Sequence, residues 1–255
     1  MDSSLFDISG RVALIAGASR GIGRGIAEGL CQAGATIALS SRKEADLLQV
    51  AEDIRARGGR AEVFPAELSN VAQIQTLVQE VLTRMGQIDI LTYVAGVNCR
   101  KPSIDITEND WDTVLDLNLK SLFFASQSVV RYWLETRRFA PEQNRGKGKI
   151  INIRSIAGEM GIRRVATYSA SKSGVAGVTR SLAVEWVSEG ICVNCLTPGY
   201  IGPCPNCCGK RERRILSVSQ KPTGSWSESD RGGTRLWEKV YKDWRQWKDY
   251  LGRIG

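Results

Sequence analysis

A short apolar run, a glycine-rich turn and an amphipathic stretch follow one another near the start of the chain. The run is Val12–Ala16, the turn occupies residues 17–23 with the sequence Gly-Ala-Ser-Arg-Gly-Ile-Gly, and the amphipathic stretch covers residues 24–32. This order predicts a buried strand, a tight turn and a helix. Glycine lets the backbone pass close to a pyrophosphate, and a helix N-terminus offers free N–H groups. The turn is therefore interpreted as a dinucleotide phosphate site, the alternative being a plain tight turn.

Strand and helix patterns continue to alternate through the first 200 residues. Further strands are predicted at residues 36–40, 60–65, 88–94 and 149–154, and helices at 71–85 and within 107–133. This succession predicts the α/β class, a Rossmann-type doubly wound parallel sheet with right-handed crossovers in a single domain. Residues 1–203 form the predicted NAD(P)-binding catalytic domain. Residues 204–255 form an atypical basic, tryptophan-rich tail.

A tyrosine and a lysine one helical turn apart, with a serine upstream, indicate proton-transfer chemistry. Tyr168 and Lys172 would share one helix face, with Ser155 before them. A free phenol has a pKa of about 10, and lowering it by about three units requires roughly 4 kcal/mol. A nearby ammonium and a cationic nicotinamide would supply that stabilisation. Most Tyr-x-x-x-Lys pairs are ordinary helix surface, so this pair gains meaning only beside the dinucleotide site.

The residues after the second predicted strand indicate which dinucleotide would bind. An acidic residue there accepts hydrogen bonds from a ribose 2′-hydroxyl, whereas arginine suits a 2′-phosphate. The strand is followed by Ser41 and Arg42, and Arg20 in the glycine turn is a second candidate clamp. We therefore expect NADP(H) over NAD(H). The alternative is that both arginines are simply solvated.

The absence of histidine removes several kinds of site. The chain has no histidine and seven cysteines, so Ser-His-Asp catalysis and His-based metal sites are excluded. Cys204-x-x-Cys207-Cys208 lacks a second ligand pair for structural zinc. No metal is expected.

Composition indicates a cytoplasmic protein without nucleic-acid or membrane partners. No apolar run is long enough to span a bilayer, no secretory signal is visible, and one cysteine must be unpaired. The formal net charge is +8, but most of the basic excess lies after residue 200. The body of the chain is thus nearly neutral, which disfavours nucleic-acid binding.

With these motifs in one order, the chain resembles the short-chain dehydrogenase/reductase family over roughly residues 5–203. The resemblance rests on Gly17-x-x-x-Gly21-Ile22-Gly23, Asn118, Ser155, Tyr168-x-x-x-Lys172 and Pro198-Gly199. It implies a small-molecule substrate, a homo-oligomer (tetramer or dimer) and a catalytic set of Asn118, Ser155, Tyr168 and Lys172.

In that set, Ser155 would position the substrate oxygen and Tyr168 would be the general acid or base. Lys172 would assist Tyr168 and hold the nicotinamide ribose, and Asn118 would keep open a water-linked proton path. The cofactor residues implied are Gly17, Ser19, Arg20, Gly21, Ile22, Gly23, Ser41, Arg42, Glu67, Leu68, Ala95, Gly96, Tyr168, Lys172, Pro198, Gly199 and Ile201.

Within the family, residues 98–102, 161–165 and 168–186 most resemble gluconate 5-dehydrogenases and deoxygluconate dehydrogenases. This implies hydride transfer between nicotinamide and a secondary alcohol or ketone, on a sugar acid or polyol. Four basic loop residues would attract a carboxylate, if they are not merely exposed to solvent: Arg100, Lys101, Arg163 and Arg164. The nearest rival is a 3-oxoacyl thioester reductase.

Among the departures from the family pattern, the following matter most. Tyr93-Val94-Ala95-Gly96 replaces an Asn-Asn-Ala-Gly pattern, and Arg154 stands where a small residue is usual. Arg154 needs solvent or an acidic partner, since burying a lone cation is expensive. Residues 204–255 do not match the family. This leaves two alternatives from other classes: a nucleotide-binding protein without turnover, or a binder of nucleic acid or membrane that acts through its tail.

Overall fold

A computed structural model of the chain describes residues 7–136, 138 and 148–199, and within them a parallel sheet of six strands. The strands are β1 (Val12–Ala16), β2 (Thr36–Ser41), β3 (Arg60–Pro65), β4 (Ile90–Tyr93), β5 (Gly148–Ile153) and β6 (Ile191–Leu196). The helices are α1 (Gly21–Gln32), α2 (Glu44–Ala56), α3 (Val71–Met85), α4 (Glu108–Leu115), α5 (Ser121–Glu135) and α6 (Ala166–Trp186). A π-helical segment, Asp116–Lys120, joins α4 to α5.

The strand order places a crevice beside the glycine turn. Neighbouring strands run in the order β3-β2-β1-β4-β5-β6, so the chain changes direction across the sheet between β1 and β4. Ala16, the last residue of β1, pairs with Ser40 on one side and Tyr93 on the other. In open parallel sheets, ligands bind outside the carboxyl ends of the strands at such a switch point. The predicted α/β, doubly wound parallel sheet is confirmed.

Successive strand residues enter different cores, because their side chains alternate between the faces of the sheet. Ile15 packs with Leu47 and Val50 on the face covered by α1 and α2. Leu14 packs with Leu122 and other residues of α3, α5 and α6 on the opposite face. Both faces are thus buried, which explains the nearly continuous apolar run of β1.

Several bounds differ from the sequence prediction by one or two residues, as in β2, β4 and β5, which were predicted at 36–40, 88–94 and 149–154. β4 is Ile90–Tyr93, although the Asp89 backbone just before it already bonds to Val12 and Lys149, and the buried Asp89 carboxylate accepts a hydrogen bond from the Val12 N–H at 2.9 Å. The helical run predicted within 107–133 is interrupted by the π-helical segment. Two predictions, the tail 204–255 and Ile201, lie outside the described residues. No helix among the described residues is long and apolar enough to cross a membrane.

Candidate active site

The glycine turn is too tight for side chains at its first position. Gly17 has a φ of +99°, and a Cβ placed on it would lie 2.6 Å from the backbone nitrogen of Ala95. The N–H groups of Gly17 and Ala18 both donate to the Ser40 carbonyl oxygen, at 2.7 and 3.0 Å. A Cβ on Gly23 would clash with the Gly17 carbonyl. These contacts hold the start of α1 against the end of β1, leaving a cradle that only glycine permits.

The N-terminus of α1 has no cap from its own side chains. Its N-cap residue, Arg20, is extended and makes no capping hydrogen bond, and no acidic residue lies in the first turn. Asn70 caps α3 and Thr107 caps α4, whereas α2 and α6 also begin without a side-chain cap. The first N–H groups of a helix need an acceptor from outside it. An anion such as a pyrophosphate supplies one, so the residues present fit a dinucleotide.

The residues predicted to hold the adenosine end lie where β2 and β3 finish. Ser41 closes β2, and its hydroxyl has no hydrogen-bond partner among the described residues. The Arg42 side chain is 67% exposed, and its guanidinium lies 3.7 Å from a Glu67 carboxylate oxygen. Leu68 beside Glu67 is buried. Arg20 is exposed and pairs with no carboxylate of the described chain. Both arginines are therefore accessible to a phosphate.

Asn118 sits at the centre of the π-helical segment and is fully buried. Its amide nitrogen donates to the Val97 carbonyl at 2.9 Å and to the Ser171 hydroxyl at 3.0 Å. Its amide oxygen accepts from the Val97 N–H at 2.8 Å. A Cβ on Gly96 would lie 3.0 Å from that oxygen and 3.6 Å from the Lys172 ammonium nitrogen. The loop after β4 thus packs closely between Asn118 and Lys172.

Ser155, Tyr168 and Lys172, three members of the predicted catalytic set, line one cleft of about 320 Å³. Ser155 follows β5, and its hydroxyl accepts from the Ala157 N–H at 3.2 Å, which caps a short 3₁₀ turn. The Lys172 nitrogen lies 5.8 Å from the centre of the Tyr168 ring. The rest of the lining comes from Ile22, Val94, Gly96, Val97, Asn98, Ile153, Arg154, Pro198 and Gly199.

Lys172 is held in a nearly dry environment. The residue is 4% exposed, and its ammonium donates to the Ile153 carbonyl oxygen at 2.8 Å. Burial lowers the pKa of Lys172 from 10.5 to about 8. The charged form is disfavoured because the surroundings solvate it poorly. Near neutral pH, Lys172 therefore remains a cation that can give up its proton easily.

Arg154 has the acidic partner that its burial requires. Its guanidinium pairs with Glu159, and it also donates to the Gly158 carbonyl at 3.0 Å and the Lys172 carbonyl at 3.2 Å. The side chain is only 13% exposed. These bonds tie the loop that carries Ser155 to the helix that carries Tyr168 and Lys172. Sequence reasoning omitted Arg154 from the site, although its position directly before Ser155 was the available signal.

The remaining basic candidates differ in their surroundings. Lys101 pairs with Asp110 at 2.6 Å, which compensates its charge. Arg100, Arg163 and Arg164 are exposed, and Arg164 has a φ of +65°, the left-handed region. Among the described residues, no group of three or more carboxylate, thiol or imidazole side chains has metal-site geometry.

Known proteins of one family are similar to this chain in sequence. The short chain dehydrogenase family matches residues 11–206. The 2-dehydro-3-deoxy-D-gluconate 5-dehydrogenase of Dickeya dadantii (strain 3937) is 40% identical over 196 residues, covering 77% of this chain and 74% of that one. The 3-oxoacyl-(acyl-carrier-protein) reductase FabG of Staphylococcus epidermidis is 36% identical over 190 residues, 74% of each chain.

A solved structure agrees over a similar span. The gluconate 5-dehydrogenase of Burkholderia cenocepacia J2315, in complex with NADP and tartrate, has a TM-score of 0.71 and 34% identity. The match covers 78% of this chain and 75% of that one. With a family match over most of its length and the same fold, this chain belongs to the short-chain dehydrogenase family, NAD(P)-dependent oxidoreductases that act on CH–OH groups.

Proposed function

We propose that the protein is an NADP(H)-dependent oxidoreductase that interconverts a secondary alcohol and a ketone on a sugar acid or polyol. The observation that carries this proposal is the single cleft lined by Ser155, Tyr168 and Lys172, which also includes Ile22 of the glycine turn. The cofactor, when bound there, supplies or accepts the hydride. The protein then has to bind the substrate, orient it and exchange one proton with its oxygen.

Each catalytic side chain has a defined role in this proposal, and Lys172 has two. Ser155 holds the substrate oxygen by a hydrogen bond, and Tyr168 gives a proton to that oxygen or removes one. Lys172 stabilises the charge that develops on Tyr168 and binds a ribose hydroxyl. Asn118 keeps a water-linked proton path open to Lys172. The uncapped start of α1 and the glycine turn would hold the pyrophosphate, and Pro198 and Gly199 in the cleft lining would complete the cofactor site.

The preference for NADP(H) is proposed from two accessible arginines. Arg42 is two-thirds exposed and, in the part of the chain that the structure describes, its ion pair is a 3.7 Å contact with Glu67, and Arg20 is exposed at the start of α1. Arginine binds phosphate by charge-assisted hydrogen bonds. The related gluconate 5-dehydrogenase from Burkholderia cenocepacia was solved with NADP. These observations favour a 2′-phosphate over a free ribose hydroxyl.

A carboxylate-bearing substrate is proposed from the charge of the cleft. The charged side chains among its described lining are Arg154 and Lys172, and both are basic. Glu159 offsets part of the charge of Arg154, and no carboxylate among the described residues pairs with Lys172. A basic cleft attracts anions. The Burkholderia relative binds tartrate, a dicarboxylate.

Initial rates with matched substrates test this proposal. The panel is 5-keto-D-gluconate, 2-dehydro-3-deoxy-D-gluconate, a neutral polyol of equal length and acetoacetyl coenzyme A, each with the phosphorylated and unphosphorylated cofactor. We expect the highest kcat/KM for a sugar acid with NADP(H), and loss of turnover in Tyr168→Phe with cofactor affinity retained. A preference for the neutral polyol contradicts the carboxylate argument.

A second candidate is reduction of a 3-oxoacyl thioester, favoured by the 36% identity to FabG of Staphylococcus epidermidis. A higher kcat/KM for acetoacetyl coenzyme A than for every sugar acid supports this candidate. Cofactor binding without turnover on any substrate supports a nucleotide-binding protein instead. The homo-oligomer implied by the family resemblance stays a prediction, which the mass in solution checks.

A further inference from the structure

Tyr93 is a buried polar residue that the proposed chemistry does not use. It ends β4, is 1% exposed, and stands where the family pattern has asparagine. Its hydroxyl donates to the Leu117 carbonyl oxygen at 2.9 Å. A buried phenol needs such a partner, because burying an unpaired hydroxyl is costly. The bond connects the sheet directly to the helical segment that contains Asn118.

In the π-helical segment, the backbone carbonyls cannot all accept the regular hydrogen bonds of an α-helix. An i→i+5 turn inserts one residue and disturbs the neighbouring backbone hydrogen bonds. Two hydroxyls reach this segment: Tyr93 bonds to Leu117, and the Ser121 hydroxyl donates to the Asp116 carbonyl at 2.5 Å. The irregular turn is thus supported from outside the backbone ladder.

The direction of the Asn118 side chain depends on that turn. Leu117 and Asn118 are adjacent, so a bond that fixes the Leu117 carbonyl also fixes the peptide leading into Asn118. Asn118 in turn bonds to Val97 through both of its amide atoms and to Ser171 through one. A regular α-helix would rotate Asn118 away from these partners, because removing one residue from the turn shifts the face by about 100°.

We propose that Tyr93 is a positioning residue, whose hydroxyl holds the π-helical segment in the register that directs Asn118 to Val97 and Ser171. The inference rests on the catalytic role proposed for Asn118. Tyr93 acts through the segment, since it is not part of the cleft lining. Burial raises the pKa of Tyr93, so its hydroxyl keeps the donated proton across the working pH range. The simpler alternative is that the ring only fills the core.

Tyr93→Phe tests the inference, since it removes the hydroxyl and keeps the ring. Tyr132→Phe on α5 is the matched control, because Tyr132 is partly buried but its hydroxyl has no hydrogen bond with the described residues. Two quantities are measured: hydrogen–deuterium exchange of peptides covering residues 116–121, and kcat, KM and cofactor Kd. In Tyr93→Phe we expect exchange in 116–121 to rise about tenfold and kcat to fall about tenfold, the effect of one lost hydrogen bond. Cofactor Kd should stay within about twofold, and Tyr132→Phe should match the wild type.

The outcomes separate positioning from space filling. Unchanged exchange in residues 116–121 overturns the inference, whatever happens to kcat. Faster exchange with unchanged kcat also overturns it, since the hydroxyl then supports the fold alone. A wild type without turnover contradicts the proposed function instead, and the exchange comparison then decides the inference by itself.

Discussion

The Lys172 ammonium donates to the Ile153 carbonyl oxygen at 2.8 Å, in a position where the lysine is 4% exposed. The proton of this ammonium is therefore held less tightly in the folded protein than in the unfolded chain, with a pKa of about 8 against 10.5. Between these two values the unfolded chain binds a proton that the folded protein has released. Stability must rise with pH across that window.

Replacing Lys172 by methionine should remove this pH dependence. We expect the free energy of unfolding of the wild type, relative to Lys172→Met, to rise by about 3 kcal/mol between pH 7.5 and 10.5. Below pH 8 the buried ammonium is charged and its full desolvation penalty remains. Urea titrations of both proteins at three pH values measure the difference, and parallel curves would show that Lys172 titrates normally.

Replacing Arg42 by aspartate should reverse the cofactor preference. The new carboxylate repels a 2′-phosphate, accepts hydrogen bonds from a ribose hydroxyl, and adds to the charge of Glu67 nearby. The ratio of kcat/KM for NADP(H) to that for NAD(H) should fall about 100-fold. Arg131→Asp, an equal charge change at an exposed position on α5, is the control. A ratio that moves equally in both variants rules out a specific phosphate contact.

Alanine at Gly17 and at Gly25 should have opposite effects. A Cβ on Gly17 meets the Ala95 backbone at 2.6 Å in a left-handed conformation, whereas a Cβ on Gly25 in α1 meets nothing within 4 Å. We expect Gly17→Ala to destabilise the protein by about 2–4 kcal/mol and abolish cofactor binding. Gly25→Ala should stabilise it by roughly 0.5–1 kcal/mol. Thermal unfolding and cofactor titration check both, and a tolerated Gly17→Ala contradicts the tight turn.

Removing Arg154 should lower stability and kcat more than removing the charge of its partner, Glu159. Arg154→Met loses the bonds to the carbonyls of Gly158 and Lys172 as well as the pair with Glu159. We expect it to lower stability by about 2 kcal/mol and kcat by about tenfold, since the Ser155 loop is released from α6. Glu159 is 41% exposed, so Glu159→Gln should cost less than about 1 kcal/mol. If Arg154→Met and Glu159→Gln lower the free energy of unfolding in denaturant equally, and kcat equally, the ion pair is the dominant interaction.

Much of this fold was predictable because its signals are local. The bounds of β1, β3 and α3 match the prediction, since apolar runs and a capping asparagine mark them within a few residues of sequence. The glycine turn was predictable for the same reason. Helix α2 and strand β6 were not among the predicted stretches; β6 has three exposed residues at its end, so its apolar pattern is weak.

The parts that escaped prediction depend on partners distant in sequence. The π-helical turn around Asn118 is held by Tyr93, whose hydroxyl reaches across 24 positions. Lys101 looked like a carboxylate-binding residue because its partner Asp110 lies nine positions away in another element. Helical spacing predicted that Tyr168 and Lys172 share one face, but spacing alone does not bring Ser155, in the loop after β5, to α6.

The uncapped start of α1 also affects how stable the protein is without a bound nucleotide. A missing helix cap is worth ~1 kcal/mol, and a bound phosphate group restores it. Any nucleotide that occupies this turn raises the melting temperature with its concentration. We therefore expect preparations stripped of nucleotide to denature, and to be cleaved by proteases, at a lower temperature than preparations that contain it.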